Sequence, residues 1–233
     1  MTSQLMNRMN EKKLMAASYP SPSALGSLTS ASLIGSGLLF VLYPALRPFS
    51  NEATLGGAAA FASVEWVVSH SLAIVAFILF TLGLLGLFLT LRQTPVVHLA
   101  FNGLVLSWLG VGLTLPFYGA EVFGLYAVGQ EALRLNNENL LPITEDIRSG
   151  FGLILIMIGL VLLAIGCILV AIAVWKSRIL SKWSGIPIAA AFLLYLPQYA
   201  WSQPLRVGHG FLITIGCVWL GISVWKQAVA RKD

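Results

Sequence analysis

Apolar residues come in this chain as long unbroken runs. They do not alternate as in a strand, and they do not form the one-sided stripe of a soluble helix. The run that organises the rest lies between Ser63 and Arg92, SVEWVVSHSLAIVAFILFTLGLLGLFLTLR, and it holds no charge from Ser71 to Leu91. A helix needs about 20 apolar residues to cross a hydrocarbon core of about 30 Å. One end of the run carries Glu65, Trp66 and His70 and the other closes on Arg92, so it reads as a span with an ionisable head and a basic foot.

The same reading along the chain predicts spans at about 25–46, 61–91, 97–118, 150–175, 183–201 and 207–225. The expected fold class is therefore an all-α integral membrane bundle of six transmembrane helices. A flexible cytoplasmic tail of residues 1–24 precedes it, and a cytoplasmic tail of residues 228–233 follows. The first tail lacks the compact apolar core and small-residue cleavage site of a signal peptide. Its Leu5, Met6, Met9, Lys12, Lys13 and Leu14 allow a short helix on anionic lipid as the alternative to a plain tail. An external loop of about 121–149 begins amphipathic and turns acidic through Glu131, Glu138, Glu145 and Asp146, which predicts a short surface helix followed by an ordered loop. Pro116 is expected to kink or end the third span. Gly152, Gly159 and Gly166 recur every seven residues in the fourth, a stripe suited to close helix packing within one chain or between copies.

Composition agrees. The chain is 58% hydrophobic and 10% charged, where soluble domains carry about 25% charged residues. A net charge of +5 does not indicate nucleic acid, because the basic residues sit at the ends of apolar runs. With the amino terminus inside, ten Lys and Arg fall on the inner side and four (Arg47, Arg134, Arg148 and Arg206) on the outer, which orients the bundle with both termini cytoplasmic in the plasma membrane. Cys167 and Cys217 lie inside apolar runs and read as packing residues, with no CxxC or Cys/His metal spacing.

The topology gathers the candidate chemistry. Glu65, His70, Tyr118, Glu121, Gln198, Tyr199, Arg206 and His209 are scattered in sequence but all fall at outer span ends, joined there by Arg148. Ionisable groups near a bilayer interior face partners or a watery cavity. The expected site is an outward-facing pocket of His70, Glu121, Arg206, His209, Glu65, Tyr118 and Tyr199. Arg206 and the two histidines would bind an anionic group, with Glu65 or Glu121 as counter-charge. The competing reading is ordinary interface chemistry, with Trp66, Tyr118, Tyr126 and Trp201 as an aromatic belt. A haem or metal held by His70 and His209 is a further alternative, weakened because Glu65 and His70, five apart, point about 140° away from each other on a helix.

Hydrolase signals are missing from the sequence: there is no HExxH and no GxSxG. A transporter would place polar groups near the midplane, where this chain offers little beyond Thr81 and Ser107. The functional expectation is a non-enzymatic multi-pass membrane protein that binds a small anionic ligand, a lipid head group or a partner. A small transporter and a haem or metal redox protein are the alternatives. No catalytic residue, metal ligand or cofactor is expected, and the partners are the lipid bilayer or another membrane protein. A faint echo links Leu115-Pro116-Phe117-Tyr118 with Leu196-Pro197-Gln198-Tyr199, through either duplication or chance.

Overall fold

The computed structural model describes residues 21–230, and over them the chain is helical with no strand. Most of the expected tail of residues 1–24 lies outside the described residues. Helix α1 (Pro22–Leu46) starts earlier than the apolar run implied, because Pro22 stands in its first turn and the Ser21 hydroxyl accepts from the Ala24 amide at 3.2 Å. A separate short helix, α2 (Leu55–Phe61), occupies what was expected to be loop and the start of the second span. That span, α3 (Val64–Leu91), begins at Val64 because the Ser63 hydroxyl caps it, accepting from the Trp66 amide at 3.1 Å.

Helix α4 (Val97–Gly119) does not stop at Pro116. It runs on through a π-helical turn, Ala120–Gly124, into α5 (Leu125–Leu135), forming one helical path from Val97 to Leu135. The expected loop is thus helical at its start, and after a 3-10 turn at Glu138–Leu140 it holds another short helix, α6 (Pro142–Arg148). Helix α7 (Gly150–Ser177) follows, then α8 (Ile186–Leu193), a 3-10 turn at Pro197–Ala200, and α9 (Gln203–Ala230).

Among the described residues five helices are long and apolar enough to cross a membrane. The stretch 183–201, expected as a sixth span of the same kind, departs from it: it is the eight-residue α8 followed by the 3-10 turn. Pro197 has no amide proton to give the Leu193 carbonyl, and α8 ends at Leu193.

Helix α1 packs along both α9 and α3, while α4 packs along α7. Small residues make these approaches close. A Cβ on Gly110 would lie 2.5 Å from the Gly159 carbonyl oxygen, and one on Gly166 would lie 2.8 Å from the Gly103 carbonyl oxygen. The seven-residue stripe of α7 is therefore used, at Gly159 and Gly166, against α4 of the same chain. Gly26 in α1 meets Ala228 in α9, so the two described ends of the chain lie at one end of the bundle. The opposite end is the distal end of the bundle.

Candidate functional site

The distal end is built around Trp66 in the first turns of α3. Its ring is fully buried, with the Arg47 guanidinium 4.7 Å and the Arg148 guanidinium 5.9 Å from its centre. Its indole N–H donates to the Glu121 carbonyl at 2.8 Å. Glu121 sits in the π-helical turn of the α4–α5 path, the kind of turn that shifts the hydrogen-bonding register of a helix and often marks functional sites. Its side chain turns inward and is only 9% exposed.

Charges alternate along a chain of contacts there. Arg47, at the end of α1, donates to Glu52 at 2.9 Å. Glu52 also accepts from Arg148. Arg148, from α6, grips Glu121 with two bonds of 2.6 and 3.0 Å. The His70 Nε2 lies 3.6 Å from the second Glu121 oxygen. Arg148 lies outside the long helices. Burial draws its guanidinium down, but the hydrogen bonds and charge of Glu121, and then Glu52, outweigh that and hold it above its ordinary value.

Below the charges lies a tyrosine cluster. Tyr118 shares hydroxyl hydrogen bonds with Tyr195 at 2.8 Å and with Tyr199 at 3.1 Å. Tyr43 stands edge-on to both His70 and Tyr118. The two halves of the sequence echo, Tyr118 and Tyr199, therefore meet at one point. These groups border a cavity of about 540 Å³. Tyr43, His70, Tyr118 and Tyr199 line it, with Arg47, Glu52, Glu121, Arg148 and Arg206 among its charged groups and Phe117, Leu153, Ile156, Met157 and Leu196 as an apolar wall.

Five of the seven expected site residues, His70, Glu121, Arg206, Tyr118 and Tyr199, share this cavity. The other two do not line it. Glu65 is exposed in the first turn of α3, where a carboxylate complements the helix dipole. His209 is buried, and its Nε2 donates to the Ala191 carbonyl at 2.7 Å. Ala191 belongs to the last turn of α8, where helix carbonyls lack an intrahelical donor. His209 thus closes a broken helix end and borders a separate space of only about 10 Å³.

The imidazoles of His70 and His209 are not brought to one point, because Tyr118 and Tyr195 stand between them. Among the described residues no three His, Cys, Asp or Glu side chains are grouped as metal ligands.

Sequence reading missed Tyr43, Arg47, Glu52 and Tyr195. Tyr43 and Arg47 close the first span at the same depth as the residues it singled out, and that shared depth is the signal that would have found them. Glu52 sits in a loop and carried no such signal.

Arg206 is set apart from the other cations. It donates to the backbone carbonyls of Trp201, at 3.0 Å, and Tyr199. Among the described residues no carboxylate pairs with it. It lies half-buried, 5.5 Å over the Phe49 ring, on whose centre Arg47 also approaches to 4.6 Å. No protein-family model, curated protein or solved structure matches this chain.

Proposed function

We propose that this chain is a non-enzymatic plasma-membrane protein that binds an anion in its distal cavity, and that this cavity opens to the cell exterior. The observation that carries the reading is the charge balance of the cavity. Arg47 and Arg148 are compensated by Glu52 and Glu121, whereas Arg206 faces the same space with no carboxylate partner among the described residues. A half-buried guanidinium bound only to neutral carbonyls retains its charge, and an anion is the group that would satisfy it. His70 donates through Nδ1 to the Trp66 carbonyl at 2.8 Å. In the neutral ring this leaves Nε2, 3.6 Å from Glu121, with no proton to give to the carboxylate or to an anion.

The six-crossing topology is part of the proposal. Residues 181–199 run antiparallel to α9: the Ser181 amide meets the Ser223 hydroxyl, Ala191 meets His209, and Tyr199 meets Arg206. A broken crossing of this kind would connect the end of α7 to the start of α9 and leave both termini cytoplasmic.

The test is a thermal-shift titration of the detergent-purified protein with inorganic phosphate and with acetate. A ligand that binds the folded state raises its stability as RT ln(1 + [L]/Kd). A concentration-dependent rise with either anion that disappears in Arg206→Gln is the expected result. The same rise in Arg206→Gln, or no rise with either anion, overturns the reading.

A further inference from the structure

The distal cavity is not a well closed by protein on every side. Its charged and apolar linings are separated by depth. The α4–α5 path runs toward the distal end, so Phe117 and Tyr118 lie deeper than Glu121. Helix α7 runs away from it, so Ile156 and Met157 lie deeper than Arg148, which ends α6 just before α7 begins. Leu196 precedes Tyr199 on a segment moving outward and is likewise deeper. Cationic groups thus sit at the rim, with an apolar trough running from them toward the middle of the bundle.

That trough has two walls that separate toward the distal end. Helix α7 meets the chain leading into α8 where Gly185 lies against Ala171, near the opposite end of the bundle. Toward the distal end the walls face each other across the cavity, with Leu153, Ile156 and Met157 on α7 and Leu196, Tyr199 and Trp201 on the other side. Leu153 and Met157 are 47% and 44% exposed, and Ile154 and Ile158 beside them on α7 are exposed as well. The apolar lining of the cavity is therefore continuous with the apolar outer face of α7.

Resting on the anion-binding reading above, we infer that the ligand is an amphiphile of the surrounding leaflet, a lipid with an anionic head group that enters sideways between α7 and residues 196–203. Its head group meets Arg206 at the rim, and part of a hydrocarbon chain lies along Phe117, Leu153, Ile156, Met157 and Leu196. The lipid keeps the orientation it has in the leaflet, head at the surface and chain toward the midplane. A cavity of about 540 Å³ is within the usual range for sites that enclose a small molecule, so it holds a head group and part of a chain, with the remainder in the bilayer.

The experiment titrates the full-length protein, purified in dodecyl maltoside, with phosphatidylglycerol and with phosphatidylcholine of the same acyl chains, and counts bound lipid by native mass spectrometry. Inorganic phosphate is followed in parallel by thermal shift. The expected result is that phosphatidylglycerol binds at least tenfold more tightly than phosphatidylcholine and that Arg206→Gln removes the preference. Leu153→Trp and Met157→Trp, two changes at half-exposed positions that narrow the gap from different heights, should each weaken phosphatidylglycerol at least tenfold, a larger loss than either causes in the phosphate response. If phosphate binds in an Arg206-dependent way while neither tryptophan variant alters lipid binding, sideways entry is overturned and the anion site stands. If Arg206→Gln alters neither the lipid nor the phosphate response, the anion site falls as well.

Discussion

Arg148 shows how much of the distal end rests on single side chains. It joins Glu121 of the π-helical turn to Glu52 of the loop after α1; without it Glu121 would lose its arginine partner, while Glu52 would keep Arg47. Removing one partner of a buried ion pair costs about 3–5 kcal/mol, because the remaining charge stays uncompensated. Arg148 and Glu52 are part-exposed, so Arg148→Met is expected to destabilise the purified protein by less, about 1–3 kcal/mol, measured by reversible denaturation in detergent. Adding Glu121→Gln should recover a large part of the loss, since the two residues are in contact and their effects should not add. Strict additivity would show that the pair is not the source of the stability. The pairing itself was only partly legible in the sequence. Arg148 and Glu121 could be placed at the same depth, but depth says nothing about direction around a helix axis, and Glu65 was misplaced for that reason. It lies one residue from Trp66, yet it faces outward in the first turn of α3 while Trp66 is buried.

At the scale of elements, the α4–α7 contact is set by residues that lack a side chain. Gly103 and Gly110 on α4 meet Gly166 and Gly159 on α7, and backbone atoms fill the space that a Cβ would take. Gly159→Val should force the helices apart and cost about 1–3 kcal/mol. Gly112 has open space at its Cβ position, so Gly112→Ala should be neutral or stabilising by up to about 1 kcal/mol through helix propensity. Denaturation midpoints of the two variants check this, and equal losses would refute the packing account. Here the sequence was informative, because a seven-residue glycine spacing is visible without knowing its partner. The stretch 183–201 was less so. Pro187 and Pro197 are visible there and Pro197 is a helix breaker, but hydropathy registers apolar side chains and is blind to backbone donors, so the stretch still counted as one span. The same blindness hid the π-helical turn, which arises from hydrogen bonding between Ala120 and Leu125 and has no apolar signature.

For the whole molecule, the proposed orientation and the proposed pocket stand together. A reporter fused after Asn136 should be active only outside the cell, and one fused after Thr94 only inside. The opposite pattern would turn the distal cavity toward the cytoplasm and sink the external reading. The charge bias that predicts this orientation also explains how reading the sequence could pick out five residues that line one cavity. Threading the spans in order put residues far apart in sequence at one level of the membrane, and the bundle then brought most of that level together.

Arg206 carries a further consequence. The guanidinium that faces the cavity is the same one that holds the carbonyls of Tyr199 and Trp201. These flank the point where the chain leaves its 3-10 turn and enters α9. A guanidinium has five N–H donors and these carbonyls take two, so a negatively charged visitor would share the side chain with the protein's own backbone. Holding that side chain in place would steady the turn, and by reciprocity anything that loosens the turn would weaken the hold on the visitor. Recognition and local order at this corner are two readings of one equilibrium, with a single side chain as its pivot.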